Sequence, residues 1–185
     1  MVHRSGFPSA ANAFAGSSPL PSAIGAADGV VFAMGELTLN RIGMPCFYAA
    51  LSLETAWLEA QQGFAFKSQP LTICTYQAQF DDVLDLCDPD VREATLVSLR
   101  QLNCAWERLA GDRKPVPTWE LADRLIAGGC AGVIVPSFAS RSTPEDRNLV
   151  LWSWSRKPPH CLQVIDDDQR LPRDQSSWHD DLKPI

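Results

Sequence analysis

Cys46-Phe-Tyr-Ala-Ala-Leu-Ser-Leu-Glu-Thr-Ala-Trp-Leu-Glu59 is the stretch that decides the fold class, because its two halves follow different patterns. Cys46 to Leu51 is a compact apolar and aromatic run behind Gly43 and Pro45, the signature of a buried strand. Ser52 then offers a hydroxyl cap, and Glu54 places an acidic side chain in the first turn of a helix. Leu53, Ala56, Trp57 and Ala60 recur at the spacing of one buried helical face, and Gly63 supplies a stop. A strand at 46–51 therefore feeds a helix expected over 53–62.

Working outward, Leu71 to Phe80 is rich in Thr, Ile, Cys and Tyr and reads as a strand, with a short one at Val83 to Leu86. Asp88-Pro89 is a helix start, an N-cap followed by Pro at the first helical position. Val91, Leu96 and Leu99 carry that helix to about Arg100, with a resumption toward Trp106. Pro115 and Pro117 interrupt the chain, Thr118 is the next expected cap, and Trp119, Leu121, Ala122, Leu125 and Ile126 form an apolar face that Gly128-Gly129 closes. Ala131 to Val135, Asn148 to Trp154 and Leu162 to Ile165 read as strands. Residues 1 to about 29, rich in Ala, Ser, Gly and Pro, show no period and read as loop, with a short strand near Val2 to Arg4. Strands at both ends with helices between them, and no strict alternation, indicate a single α+β domain.

Composition narrows the function classes. With 185 residues, 45% hydrophobic and 21% charged, the chain has the make-up of one soluble globular domain. No apolar run approaches the ~20 residues of a membrane span, and the first 28 residues lack the pattern of a signal peptide, so a cytoplasmic location is expected. Cys46, Cys74, Cys87, Cys104, Cys130 and Cys161 are scattered without a CxxC pair or a neighbouring histidine, which argues for reduced structural thiols and no metal site. The net charge of -6 leaves no basic footprint for nucleic acid. Six Asp in the last twenty residues read as a solvated acidic tail.

Two separated motifs carry a family resemblance. The first is Asn40-Arg-Ile-Gly-Met-Pro-Cys-Phe-Tyr48 with Glu59 ten intervening residues later, inside Ser-x-Glu-Thr-Ala-x-x-Glu. The second is Gly132-Val-Ile-Val-Pro-Ser-Phe-Ala-Ser140, followed by a polar loop to Arg147-Asn148-Leu-Val-Leu151. Together they resemble the RES-domain family, bacterial toxins that consume NAD and are named for an Arg, a Glu and a Ser. The resemblance implies a fold related to the ADP-ribosyltransferase toxins, with NAD held in a cleft between sheets. It divides the chain into a divergent segment at 1–37, a RES-like domain at 38–165 and the acidic tail at 166–185.

The same resemblance assigns roles. Taken alone, Glu59 reads as a solvated surface carboxylate and Tyr48 as a core aromatic. In the RES reading Glu59 is the catalytic anion, facing the positive charge that grows on the ribose as the nicotinamide bond breaks. Tyr48 becomes a platform beside the nicotinamide, Ser137 a hydrogen-bonding contact to the ribose, and Asn148 a fastener of the polar loop at the cofactor site. Ser137 does not read as a hydrolase nucleophile, because the Gly-x-Ser-x-Gly elbow is missing and His3, His160 and His179 lie near the chain ends. One position departs from the family pattern. RES proteins carry Arg ten residues ahead of the Tyr, and this chain has Thr38 there; Arg41 and Arg4 are the substitutes considered for phosphate or ribose contact.

Function then divides into two expectations. The first is an NAD-consuming toxin of a type II toxin–antitoxin pair, transferring ADP-ribose to water, phosphate or a protein side chain and covered by a small Xre-like helical antitoxin. The alternative is a catalytically impaired RES-like fold that keeps antitoxin binding, and Thr38 is its main support. No membrane and no direct nucleic-acid partner is expected in either.

Overall fold

The computed structural model describes residues 24–31, 39–41, 43–61 and 74–169. Five helices and a mixed sheet make up this part of the chain. Strands β1 (Ile24–Val31) and β2 (Phe47–Ala50) precede helix α1 (Leu53–Gln61), and β3 (Cys74–Phe80) and β4 (Val83–Asp85) follow it. Next come α2 (Pro89–Thr95), α3 (Leu99–Leu102), α4 (Trp106–Gly111) and α5 (Pro117–Ala127). Strands β5 (Gly132–Pro136), β6 (Arg147–Leu151) and β7 (His160–Ile165) complete the sheet.

The seven strands are ordered β4-β5-β6-β2-β1-β3-β7. Only the β4–β5 pair is parallel, and a parallel pair needs a long crossover. Helices α2 to α5 are that crossover. Only Asp81 and Asp82 separate β3 from β4 in the chain, yet four strands lie between them in the sheet. The sheet therefore has to curl. Phe80 of β3 and Leu162 of β7 pack with Ile134, Leu149 and Leu151 of β5 and β6, so the concave face closes on its own side chains.

The other face of the sheet receives the helices. Val133, Val135 and Val150 point to it and pack with Leu121 and Leu125 of α5, Val91 of α2 and Leu102 of α3. Asp88 caps α2 as expected, accepting from the Asp90 amide, with Pro89 at the start of the helix. Leu96 then takes a left-handed conformation with φ 56° and is 81% exposed, so the helix expected to reach Arg100 breaks there. Ser98 starts α3 afresh by capping the Gln101 amide.

Three further expectations need correction. Ile24–Val31, read as loop as far as residue 29, is a strand between β2 and β3. Its sequence lacks alternation because hydrogen bonding to two neighbours, not local propensity, makes it a strand. The cap of α5 is Val116 with Pro117 at the first position, whereas Thr118 is fully buried within the helix. In α1 the inward residues are Thr55 and Ala56, while Leu53 and Trp57 are each 49% exposed. The short strand near Val2 to Arg4 lies outside the described residues.

Candidate active site

Strand register places the site before any side chain is considered. Tyr48 pairs with Val150 and Ala50 with Asn148 across β2 and β6. Asn148 in turn pairs with Val135 and Val150 with Val133 across β6 and β5. Side chains two residues apart on a strand share a face, so Tyr48, Asn148 and Ser137 project from the same face of three adjacent strands. Diagonal neighbours of this kind stand ~7–8 Å apart at the backbone. Helix α1 lies over that face, with Ala56 against Ala50.

Ser52 and Glu54 start α1 much as the sequence suggested. The Thr55 amide donates to Ser52 Oγ at 3.1 Å, and the helix runs on to Gln61. Ser52, Thr55 and Glu59 are spaced three and four apart and so share one side of the helix. That side faces the sheet, which carries Glu59 over Ser137 and Asn148.

Glu59 Oε1 receives the Ser137 hydroxyl at 2.6 Å and the Asn148 side-chain amide at 2.5 Å. Two neutral donors on one carboxylate oxygen fix its direction. Ser137 is 6% exposed and held on every side. Its amide donates to the Asp146 carbonyl at 2.8 Å, its hydroxyl oxygen accepts from the Ala139 amide at 3.2 Å, and its carbonyl accepts from the Ser142 hydroxyl at 2.9 Å. The Ser137 proton is thus directed at the Glu59 carboxylate, and no histidine is among these contacts.

Tyr48 shares the face but turns its hydroxyl elsewhere. It accepts from the Leu39 amide at 2.9 Å and donates to Asn40 Oδ1 at 3.3 Å. Burial pushes its phenol well above the ordinary value, so it stays protonated across the physiological range. The indole of Trp152 donates to the Leu39 carbonyl at 3.1 Å, and Asn40, itself 6% exposed, donates to the Met44 carbonyl at 3.3 Å. Leu39 and Asn40 are thereby fastened to the site-bearing strands.

Arg41 is directed to α5. Its Nη2 lies 2.6 Å from Asp123 Oδ2, and its guanidinium sits 5.7 Å from the centre of the Trp119 ring. Both charged groups are about half exposed, and the hydrogen bond with Asp123 raises the Arg41 pKa. The structure thus brings Glu59, Ser137 and Asn148 into direct contact, adds Tyr48 on the same face, and engages Arg41 with α5. Thr38 and Arg4 lie outside the described residues.

Two contributors were not singled out from sequence. Thr55 is 1% exposed and donates to Asp146 Oδ1 at 2.5 Å. Asp146 also accepts from the Thr143 amide at 2.7 Å and the Thr143 hydroxyl at 3.0 Å. The Thr143-x-x-Asp146 spacing is a local signal of this turn. Nothing local points to the link with Thr55, which is 91 residues away.

Among the described residues no group of three or more His, Cys, Asp or Glu is placed to hold a metal. No helix among them is long and apolar enough to cross a membrane. No curated protein matches the chain. The fold is similar to that of a chain in the crystal structure of the M. tuberculosis MbcT-MbcA toxin-antitoxin complex. The TM-score is 0.52 at 16% identity, over 78% of this chain and 85% of that one. The RES domain model matches residues 3–174, taking in both sequence motifs and the Glu59–Ser137–Asn148 cluster they build. By that match, the chain belongs to the RES-domain family.

Proposed function

We propose that this protein consumes NAD by breaking the bond between nicotinamide and ribose, as the toxin of a toxin–antitoxin pair. The observation that carries the reading is the hydrogen-bonded Glu59 carboxylate, held by Ser137 and Asn148 on the sheet face that also bears Tyr48. As nicotinamide leaves, positive charge builds on the ribose. An anion fixed beforehand stabilises that charge more than it stabilises bound NAD. Nicotinamide departs neutral, so a second acid of the glycosidase kind is unnecessary. The same carboxylate can orient the acceptor, whether water, phosphate or a target side chain.

The proposed partner is a small helical antitoxin of the Xre-like kind, supported by the toxin–antitoxin complex in which the similar fold was seen. The proposed compartment is the cytoplasm, where NAD is abundant. The test is NAD turnover by wild type and Glu59→Gln, with cellular NAD followed after induced expression. Turnover is expected to fall a hundredfold or more in the variant, the scale of losing an electrostatic contact in the transition state. NAD binding should change far less. Equal turnover in both proteins would reduce Glu59 to a structural charge.

Thr38, at the position where RES proteins carry Arg, favours a second reading: an impaired enzyme that retains antitoxin binding. A guanidinium on phosphate contributes roughly 1.5–3 kcal/mol, or about tenfold to a few hundredfold in rate or affinity. Thr38→Arg should raise turnover by that factor if only the Arg is wanting. Arg41→Ala should abolish residual turnover if Arg41 leaves Asp123 to serve the cofactor. Folded wild type and Thr38→Arg that are both inert would establish the impaired reading.

A further inference from the structure

We infer that Asp146 is a positioning residue that clamps α1 to the loop bearing Ser137 and thereby sets the place of Glu59. Asp146 works on both sides of the site at once. Its backbone carbonyl accepts the Ser137 amide at 2.8 Å, and its carboxylate reaches across to accept the Thr55 hydroxyl at 2.5 Å. Thr55 and Glu59 are one helical turn apart on the same side of α1, so a restraint on the first fixes the rotation and height of the second.

Proton counting gives the clamp a direction. Thr55 has one hydroxyl proton, and the Asp146 carboxylate can only accept it. Ser52, 2.8 Å from Thr55 Oγ1, must then donate to Thr55, while Ser52 Oγ accepts the Thr55 amide at 3.1 Å. The chain of bonds runs from Ser52 through Thr55 to Asp146 and leaves no ambiguity in the Thr55 hydroxyl. The other Asp146 oxygen is occupied by the amide and hydroxyl of Thr143, which stops the carboxylate from swinging away. Thr55 is 1% exposed, so water does not readily replace the bond if it is removed. None of these contacts touches the Glu59 carboxylate, and the effect on it is wholly geometric.

The catalytic consequence rests on the NAD-cleaving reading; the clamp itself does not. The experiment therefore uses two readouts on the full chain: the carboxyl 13C signal of Glu59, and kcat and KM for NAD. Thr55→Val deletes the donor at nearly constant volume, and Thr55→Ser restores it. Thr55→Val is expected to move the Glu59 signal and lower kcat about ten- to a hundredfold, the scale of a misplacement near 1 Å. KM should change much less, and Thr55→Ser should return both readouts toward wild type. Asp146→Ala, which removes the acceptor but keeps the backbone contact to Ser137, gives the same test if Thr55→Val does not fold. A Glu59 signal unmoved in folded Thr55→Val or Asp146→Ala would overturn the clamp, whatever the activity. A Glu59 signal that moves in a protein with no NAD turnover would support the clamp and sink the NAD reading alone.

Discussion

Helices α5 and α1 lie on the same face of the sheet, and the side they turn to it is mainly apolar in α5 and mainly polar in α1. In α5 the inward residues are Leu121, Ala122 and Leu125 beside Thr118, all 1% exposed or less, and the two leucines pack on Val133 and Val150. In α1 the inward line is Ser52, Thr55 and Glu59, and the apolar Leu53 and Trp57 are left half exposed. The hydrophobic effect alone would turn α1 the other way, since burying a Leu or Trp side chain gains about 1.5–3 kcal/mol. The polar side wins because each inward group finds a partner. Thr55 meets Asp146 and Ser52, and Glu59 meets Ser137 and Asn148. Unpaired, such groups would each cost about 1–3 kcal/mol. Stability is organised around α5 and the candidate site around α1.

Removing packing from α5 should produce the largest stability change. Leu125 is completely buried among Leu121, Val133 and Val150. Leu125→Ala should cost about 2–5 kcal/mol, lost transfer energy plus a cavity, read from urea unfolding of wild type and variant. A loss below about 1 kcal/mol would show that α5 is not the stabilising helix, and the contrast with α1 would collapse.

The next effect lies in the strand that joins the two regions. Gly132 begins β5, where a Cβ would stand 2.5 Å from the Val150 carbonyl oxygen and 2.7 Å from a Leu151 methyl carbon. The backbone oxygen cannot yield without disturbing the β5–β6 ladder that also bears Ser137 and Asn148. Gly132→Ala should therefore cost about 1–3 kcal/mol, as overpacking does, seen as a lower thermal midpoint. An unchanged midpoint would mean that β5 and β6 can separate more freely than this geometry allows.

The same division explains what the sequence made legible. The strand at 47–50 with its helix, the Asp88 cap, the α5 face and its stop at Gly128-Gly129 all come from local pattern. The β1 strand does not, because Ile-Gly-Ala-Ala-Asp-Gly-Val-Val becomes a strand only through neighbours distant in the chain. The orientation of α1 was misread for a different reason. Leu53, Ala56, Trp57 and Ala60 have the spacing of a buried stripe, and periodicity assumes that apolar residues go inward. Only Ala56 does so fully. Family motifs brought Glu59, Ser137 and Asn148 to notice, whereas Asp146 needed the fold, because its partner Thr55 is 91 residues away. Local rules fail where polar groups with partners distant in the chain displace the core pattern.

The two regions should also fail at opposite ends of the pH scale. The hydrogen bonds to Thr55 and Thr143 hold the Asp146 carboxyl below its ordinary range. A depressed folded pKa contributes stability above the unfolded value that is lost as pH falls through the folded one. Thr55→Val should make the α1 region give way at a higher pH during acidification, followed by Trp57 fluorescence. On the other side, burial pushes the Cys130 thiol up to about 12. The unfolded thiol ionises near about 8.5, so the unfolded chain holds fewer protons above that point and stability falls as pH rises toward the folded value. The slope is at most about 1.4 kcal/mol per pH unit for this thiol. Cys130→Ala should flatten the decline in stability between pH 8.5 and 10. An equally steep decline in that variant would assign the alkaline limit to other groups, such as Cys46, also raised to about 12 by burial.

The smallest change is expected where a sequence reading would place a large one. Trp57 belongs to the apolar stripe of α1, and a stripe facing the core would make its replacement one of the most damaging in the chain. With the ring 49% exposed, only part of its surface leaves water on folding. Trp57→Gln should then cost less than about 1 kcal/mol, between a surface replacement and the loss of a half-buried side chain. The Ser52–Thr55–Asp146 chain lies on the other side of the helix, so NAD turnover should stay near wild type. Urea unfolding and turnover measured on Trp57→Gln beside Leu125→Ala give the sharpest form of the comparison. A cost for Trp57→Gln that rivals Leu125→Ala would mean that α1 buries its apolar side after all. Glu59 would then have to turn away from Ser137 and Asn148, because one helix cannot present both faces to the sheet.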